Sequence, residues 1–242
     1  MAGVILLAGA WHSSWCWHKV TPALEAQGHD VLAPELPGMG EDPTPHRQLT
    51  LDKWARFALF EASRFPEPPV LVAHCRAGAI ASRAAELEPY AFASILYVAG
   101  FMLPRGTSIL DPQNYRQALS PTGPINLMDG EASITMDPDF ALKTLYHLTP
   151  EAEARDAAAR LEPEPLAPML EELDITDENY GRVRRGYVQC VQDRAINLAR
   201  QQQMCAMQPC AVLRINCDHA PFLSRPSQLA NLIDEWAAED AA

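Results

Sequence analysis

The 242-residue chain is short of positive charge: 19 Lys and Arg face 31 Asp and Glu, for a formal charge of −12. Such a balance repels phosphate backbones and anionic lipid surfaces. The one short basic run, Arg182-Val183-Arg184-Arg185, reads as a solvated loop or helix end. No nucleic-acid or membrane partner is expected. Long apolar runs are also missing. Residues 4–8 are too few to span a bilayer or to form a secretory signal, and no basic region precedes them, so the expected location is the cytoplasm. The six cysteines, at positions 16, 75, 190, 205, 210 and 217, form no CxxC pair and lack the histidine spacing of a zinc site. In a reducing compartment they are thiols, and neither a metal nor a cofactor is expected. Neither internal repeats nor low-complexity linkers mark a second independent domain. Lysine supplies three of the 19 cations and alanine is abundant, a composition expected of a GC-rich bacterial genome.

What is present fits one soluble domain with a sizeable core, since 48% of the residues are hydrophobic and 21% charged. Short apolar runs at 4–8, 30–33, 70–73, 95–99, 187–191 and 211–215 predict strands buried on both faces, as in a parallel sheet. Helical periodicity lies between them at 16–27, 51–64, 76–87, 197–207 and 226–238. Strands alternating with helices predict an α/β doubly wound, mostly parallel sheet of about six strands flanked by helices. Residues 101–185 break this rhythm with many prolines and helical pieces such as 138–147 and 150–161. The expected organisation is a core of residues 1–100 and 186–242, with 101–185 inserted after the fourth strand as a helical cap over the ligand-binding strand ends.

Residues 70–80 read as a buried strand, a sharp polar turn at Ala73-His74-Cys75-Arg76-Ala77-Gly78, and a helix. A strand-to-helix turn of this kind exposes a nucleophile at the sheet edge, and the positive end of the helix dipole favours a thiolate there. Cys75 is therefore the candidate nucleophile. Its base is expected in His219, just past the last strand, and its orienting acid in Asp193, just past the preceding one. Asp218 is a rival acid, although side chains of adjacent residues diverge. The amide N–H groups of Ala10, after the turn at Gly9, and of Arg76 are candidate donors to an oxyanion. Trp11, His12 and the Arg76 side chain are candidate substrate contacts. The guanidinium would hold a carboxylate, phenolate or enolate, or else reach solvent or pair with a cap carboxylate.

The stretches Ala10-Trp11-His12-Ser13-Ser14-Trp15-Cys16-Trp17-His18-Lys19-Val20, Leu36-Pro37-Gly38-Met39-Gly40, the turn at Cys75, Asp193-Arg194-Ala195-Ile196 and His219-Ala220-Pro221-Phe222-Leu223-Ser224-Arg225-Pro226 resemble the α/β-hydrolase superfamily. Within it the chain is similar to the small esterase branch of plant methyl-salicylate esterases, EstC-like bacterial esterases and hydroxynitrile lyases. The chain order Cys75, Asp193, His219 is the nucleophile, acid, base order of that superfamily. The resemblance implies the α/β-hydrolase fold and carries those three roles onto these positions, with Ala10 and Arg76 as oxyanion hole. The chain departs from the branch at four places. Cys75 replaces serine, as in dienelactone hydrolases. Ala8 replaces the histidine of a His-Gly pair, Arg76 an apolar residue, and Ala220 the lysine of hydroxynitrile lyases. The expected activity is cofactor-free hydrolysis or acyl transfer at an ester, thioester or lactone-like carbonyl of a small apolar or aromatic molecule. The alternatives are a non-hydrolytic tailoring reaction with His219 as general base, as in bacterial polyketide-type secondary metabolism, and a binding protein with a degenerate pocket. Oligomeric state is not legible.

Overall fold

The computed structural model describes residues 1–111, 124–128, 130 and 132–240. Parts of the sequence-based ranges, namely 112–123, 129, 131 and 241–242, lie outside the described residues. The first half alternates β1 (Gly3–Leu7), α1 (Val20–Ala26), β2 (Asp30–Leu32), α2 (Leu51–Ala62), β3 (Val70–His74), α3 (Ala77–Leu87) and β4 (Ser94–Val98). The insert follows with β5 (Ile125–Met128), β6 (Ser133–Met136), α4 (Pro138–Thr144), α5 (Glu151–Ala159), β7 (Glu164–Pro165) and α6 (Ala167–Leu170). The chain then returns to the core through β8 (Arg184–Cys190), α7 (Leu198–Met207), β9 (Ala211–Ile215), α8 (Pro221–Ser224) and α9 (Pro226–Asp240).

Six strands form one parallel sheet in the order β2-β1-β3-β4-β8-β9. Alternation along the central strands divides the core in two. Val4, Leu6, Val70, Val72, Leu96 and Val98 face Trp17, Leu24, Leu229 and Trp236 of one helical layer. Ile5, Leu7, Leu71, Ala73, Ile95 and Tyr97 face Trp54, Ala58, Ile80 and Ala84 of the other. Both faces are covered, which explains why these strands read as unbroken apolar runs.

The insert is richer than the helical cap expected from sequence. Besides helices α4, α5 and α6, its described residues carry β5-β6-β7, a small antiparallel sheet. Its strands escape a pattern search because they are short and mixed, and β7 is a Glu-Pro pair. The first helix also starts later than its periodicity predicts. Residues Ser14–Trp17 form a single 3-10 turn, and the α-helix begins at Val20 with Pro22 in its first turn, where a missing N–H costs little.

Candidate active site

The turn after β3 is built by backbone strain and close packing. Cys75 adopts φ 51°, a left-handed conformation that a residue with a side chain occupies only when its surroundings enforce it. Three main-chain bonds do so: Cys75 N–H donates to Val98 O at 3.3 Å, and Cys75 O accepts from Phe101 N–H at 2.9 Å and Gly78 N–H at 3.1 Å. The loop at Phe101 runs so close to α3 that a Cβ on Gly78 would stand 2.6 Å from Phe101 N. The loop after β1 is equally near, since a Cβ on Gly9 would lie 2.7 Å from Cys75 Cβ and 2.5 Å from His74 Nδ1. Two glycines thus press neighbouring loops against Cys75, itself only 6% exposed.

Register places the remaining residues on the same rim. His74 pairs with Val98, Val98 with Val188, and Cys190 with Ile215, so the loops carrying Cys75, Asp193 and His219 all leave the carboxyl ends of β3, β8 and β9 in one parallel sheet. His219 Nδ1 lies 2.7 Å from Asp193 Oδ2, and the Cys75 sulfur is near enough to act electrostatically on the imidazole. Burial alone would lower the affinity of His219 for a proton, but the Asp193 carboxylate and the Cys75 sulfur outweigh it and hold the imidazole well above its ordinary range. Asp193 is oriented in turn by the amide N–H groups of Ala195 at 2.7 Å and Ile196 at 2.9 Å, both donating to Oδ1.

Asp218, the rival acid, is turned away from the imidazole. Its Oδ2 accepts from Leu148 N–H at 2.8 Å and Thr149 Oγ1 at 3.1 Å, and its Oδ1 from Ser224 Oγ at 2.7 Å and Ala220 N–H at 3.2 Å. It fastens the cap to the His219 loop. His74 has a role that the sequence did not single out: its Nε2–H donates to His219 O at 2.9 Å and holds that loop from below. Burial, then the nearby His219 and His12, keep His74 well below its ordinary value and therefore neutral.

Among the described residues, neither the Ala10 nor the Arg76 amide N–H donates to a protein acceptor; Arg76 follows Cys75 directly, and Ala10 follows Gly9, which packs against Cys75. The expected substrate contacts are placed differently. His12 is buried with both nitrogens engaged: Nδ1–H donates to Ala10 O at 2.7 Å, and Nε2 accepts from the Tyr146 hydroxyl of the cap at 2.6 Å. Burial lowers its pKa to about 3. The Arg76 side chain, 1% exposed, turns to the cap, with Nε 2.7 Å from Glu164 Oε1 and its guanidinium 4.4 Å over the Trp54 ring. Of the three readings open from sequence, pairing with a cap carboxylate is the one observed. Trp11, buried beside Ala10, has φ 62° and donates its amide N–H to Glu164 Oε2 at 3.0 Å. Glu164 and Tyr146 could not have been found from sequence, because only the folded cap brings them to this rim.

Among the described residues no group of His, Cys, Asp and Glu side chains is arranged to hold a metal ion, and no helix is long and apolar enough to cross a membrane.

Residues 4–232 match the family described as "Alpha/beta hydrolase family". Methylesterase 7 of Arabidopsis thaliana is 31% identical over 251 residues, covering 96% of this chain and 95% of its own length. The putative chloroplastic methylesterases 13 and 11 of the same plant are 29% and 30% identical over 96% of this chain, which spans 55% and 63% of their lengths. Among solved structures, tomato Methylketone Synthase I complexed with 2-tridecanone superposes with a TM-score of 0.85 at 23% identity, covering 98% of both chains. A pyrethroid hydrolase from Sphingobium faniae JZ-2 gives 0.86 at 22% identity over 98% of this chain and 97% of its own. By its sequence from the first strand to the last helix, the chain belongs to the α/β-hydrolase family, on its esterase and methylesterase branch.

Proposed function

We propose that the protein is a cofactor-free enzyme that opens an ester, thioester or lactone-like carbonyl of a small apolar or aromatic molecule, using Cys75 as nucleophile, His219 as acid and base and Asp193 as orienting acid. The observation that carries this reading is the His219 imidazole, whose Nδ1 lies 2.7 Å from Asp193 Oδ2 and whose proton affinity is raised by Asp193 and by the nearby Cys75 sulfur. Its relatives named methylesterases support a small ester among the candidates.

In the first half-reaction the proton shared with Cys75 rests on His219, whose affinity for it is raised, and the sulfur attacks the carbonyl carbon. The tetrahedral oxyanion rests on the amide N–H groups of Ala10 and Arg76. The carbon–oxygen or carbon–sulfur bond breaks, and His219 returns the proton to the leaving group. In the second half His219 deprotonates water or an acceptor alcohol, which attacks the acyl-sulfur carbonyl and releases Cys75. Asp193 keeps the imidazole in the tautomer and orientation that both steps need.

Intact-protein mass spectrometry after exposure to activated aryl esters and acyl thioesters tests this reading, with hydrolysis followed in parallel. An acyl adduct on the wild type is expected, absent from Cys75→Ala and persisting without turnover in His219→Ala. If the wild type gives neither adduct nor hydrolysis, and Cys75→Ser gains no ester cleavage, the acyl-enzyme route is overturned in favour of proton-transfer chemistry at His219.

A further inference from the structure

A single carboxylate reaches both peptide segments that present the two amide donors. Glu164 lies in β7 and is fully buried. Its Oε1 is 2.7 Å from Nε of Arg76, the residue whose own amide is one donor. Its Oε2 accepts from the amide of Trp11, directly after Ala10, whose amide is the other. The guanidinium also reaches across, with Nη2 donating to Gly9 O at 3.3 Å.

Trp11 is the strained member of this set, with φ 62° in a residue bearing a large side chain. Such a conformation costs about 1–2 kcal/mol and persists only under restraint from its neighbours. The cap supplies that restraint on both faces of the residue: Glu164 receives its N–H, and its O accepts from Glu162 N–H at 3.0 Å. Glu162 further ties Ser13 Oγ at 2.7 Å and Gly40 N–H at 2.6 Å. The cap therefore grips the loop after β1 at both peptides of Trp11, the first of which joins it to Ala10. A buried arginine–carboxylate pair is a poor way to gain stability, because desolvation offsets much of its attraction. Its geometry here serves alignment.

We propose that Glu164 is a positioning residue for the oxyanion hole, fastening the cap to Arg76 on one side of Cys75 and to Trp11 on the other so that the two amide donors keep a fixed separation. This rests on the reading of those amides as the oxyanion hole, and it makes Cys75 acylation depend on a docked cap.

The test separates alignment from stability with two variants. Glu164→Gln keeps a carboxamide oxygen for the Trp11 amide and is expected to hold kcat within roughly tenfold of wild type. The double variant Glu164→Leu/Arg76→Leu replaces the ion pair by an apolar pair, which is commonly neutral or stabilising, so it is expected to melt near the wild type. Its kcat is expected to fall about 10²- to 10³-fold, the scale of losing one oxyanion donor, with KM changed by less than about threefold. Alkylation of Cys75 by iodoacetamide, which needs no oxyanion hole, is expected at the wild-type rate. A folded double variant with wild-type kcat, or a Glu164→Gln variant as impaired as the double one, would overturn the proposal. Failure of the underlying acyl-enzyme reading is distinguishable, because it appears in the wild type as the absence of any acyl adduct.

Discussion

His219 Nδ1 stands 2.7 Å from Asp193 Oδ2, while the neighbouring carboxylate of Asp218 spends all four of its bonds on Leu148, Thr149, Ala220 and Ser224. The two acids that sequence leaves in competition thus have different partners, Asp193 the imidazole and Asp218 the cap.

That division has a kinetic signature. Asp193→Asn disturbs the tautomer and orientation of His219 and is expected to lower kcat by about 10³- to 10⁴-fold with little change in melting temperature. Asp218→Asn weakens a buried four-bond cluster and is expected to lower stability by about 1–3 kcal/mol while sparing most of kcat. Steady-state kinetics with thermal denaturation of both variants checks this, and the reverse pattern would exchange the two roles.

Stability is expected to peak near pH 6.5. His12, with a pKa of about 3, and His74, also depressed, stay neutral in the folded chain where the unfolded chain takes up protons below about 6.5, so stability falls as pH falls. Burial raises Glu164 to about 7, against the pull of Arg76, so it holds a proton in the folded chain between about 4.5 and 7 and opposes one of the two histidines there. The lowered histidines, His147 among them, outweigh the raised carboxyl groups Glu164 and Glu171, so stability falls as pH falls between about 6.5 and 4.5. Above that range His219, whose folded pKa is raised, loses its stabilising proton as pH rises, and stability declines again. Urea midpoints measured at half-unit intervals from pH 4.5 to 8.5 check the peak. Glu164→Gln should steepen its acid limb.

Gly78 is expected to tolerate no side chain. Gly78→Ala brings a methyl carbon to 2.6 Å from Phe101 N and 2.8 Å from Phe101 O, both main-chain atoms that cannot swing aside. A loss of about 1–3 kcal/mol is expected, with a fall in kcat because Phe101 N–H also restrains Cys75 O. Chemical denaturation of this variant beside Gly28→Ala provides the comparison, since a Cβ at Gly28 meets open space, though its φ of 91° adds strain of its own.

Tyr146→Phe removes the hydroxyl that donates to His12 Nε2 at 2.6 Å and leaves a buried acceptor unmatched. A destabilisation of about 1–3 kcal/mol follows from that unmet bond. Its second effect should be on the loop after β1, because His12 Nδ1 anchors Ala10 O. A lower acylation rate on the mass-spectrometric assay, at unchanged iodoacetamide reactivity of Cys75, is the expected result.

Much of this site was legible because parallel-sheet topology converts sequence position into spatial position. Cys75, Asp193 and His219 each follow an apolar run, and strands in one parallel sheet deliver their carboxyl ends to one rim. Gly9 was legible as a tight turn, whereas the close approach of Phe101 to Gly78 depends on a loop that the sequence does not place. The cap was harder to read. Its strands β5 and β6 have four residues each and β7 has two, too few for an alternating pattern, and the partners of Arg76 and His12 come from chain positions 88 and 134 residues away. Which of several roles a buried arginine takes depends on those distant partners, so sequence alone left it open.

If the Ala10 and Arg76 amides form the proposed oxyanion hole, the strain at Trp11 sets access against competence. Lifting β7 away from the core to admit a substrate would free the Trp11 amide from Glu164 and release the loop that presents Ala10. An opened molecule would therefore be a quiet one: its thiol could be reached, but the amide donors to the developing oxyanion would have slackened. Reactivity would return only when the cap settles over a cargo that lets it close, so the enzyme would discriminate by what fits beneath the closed roof, as well as by what reaches the sulfur.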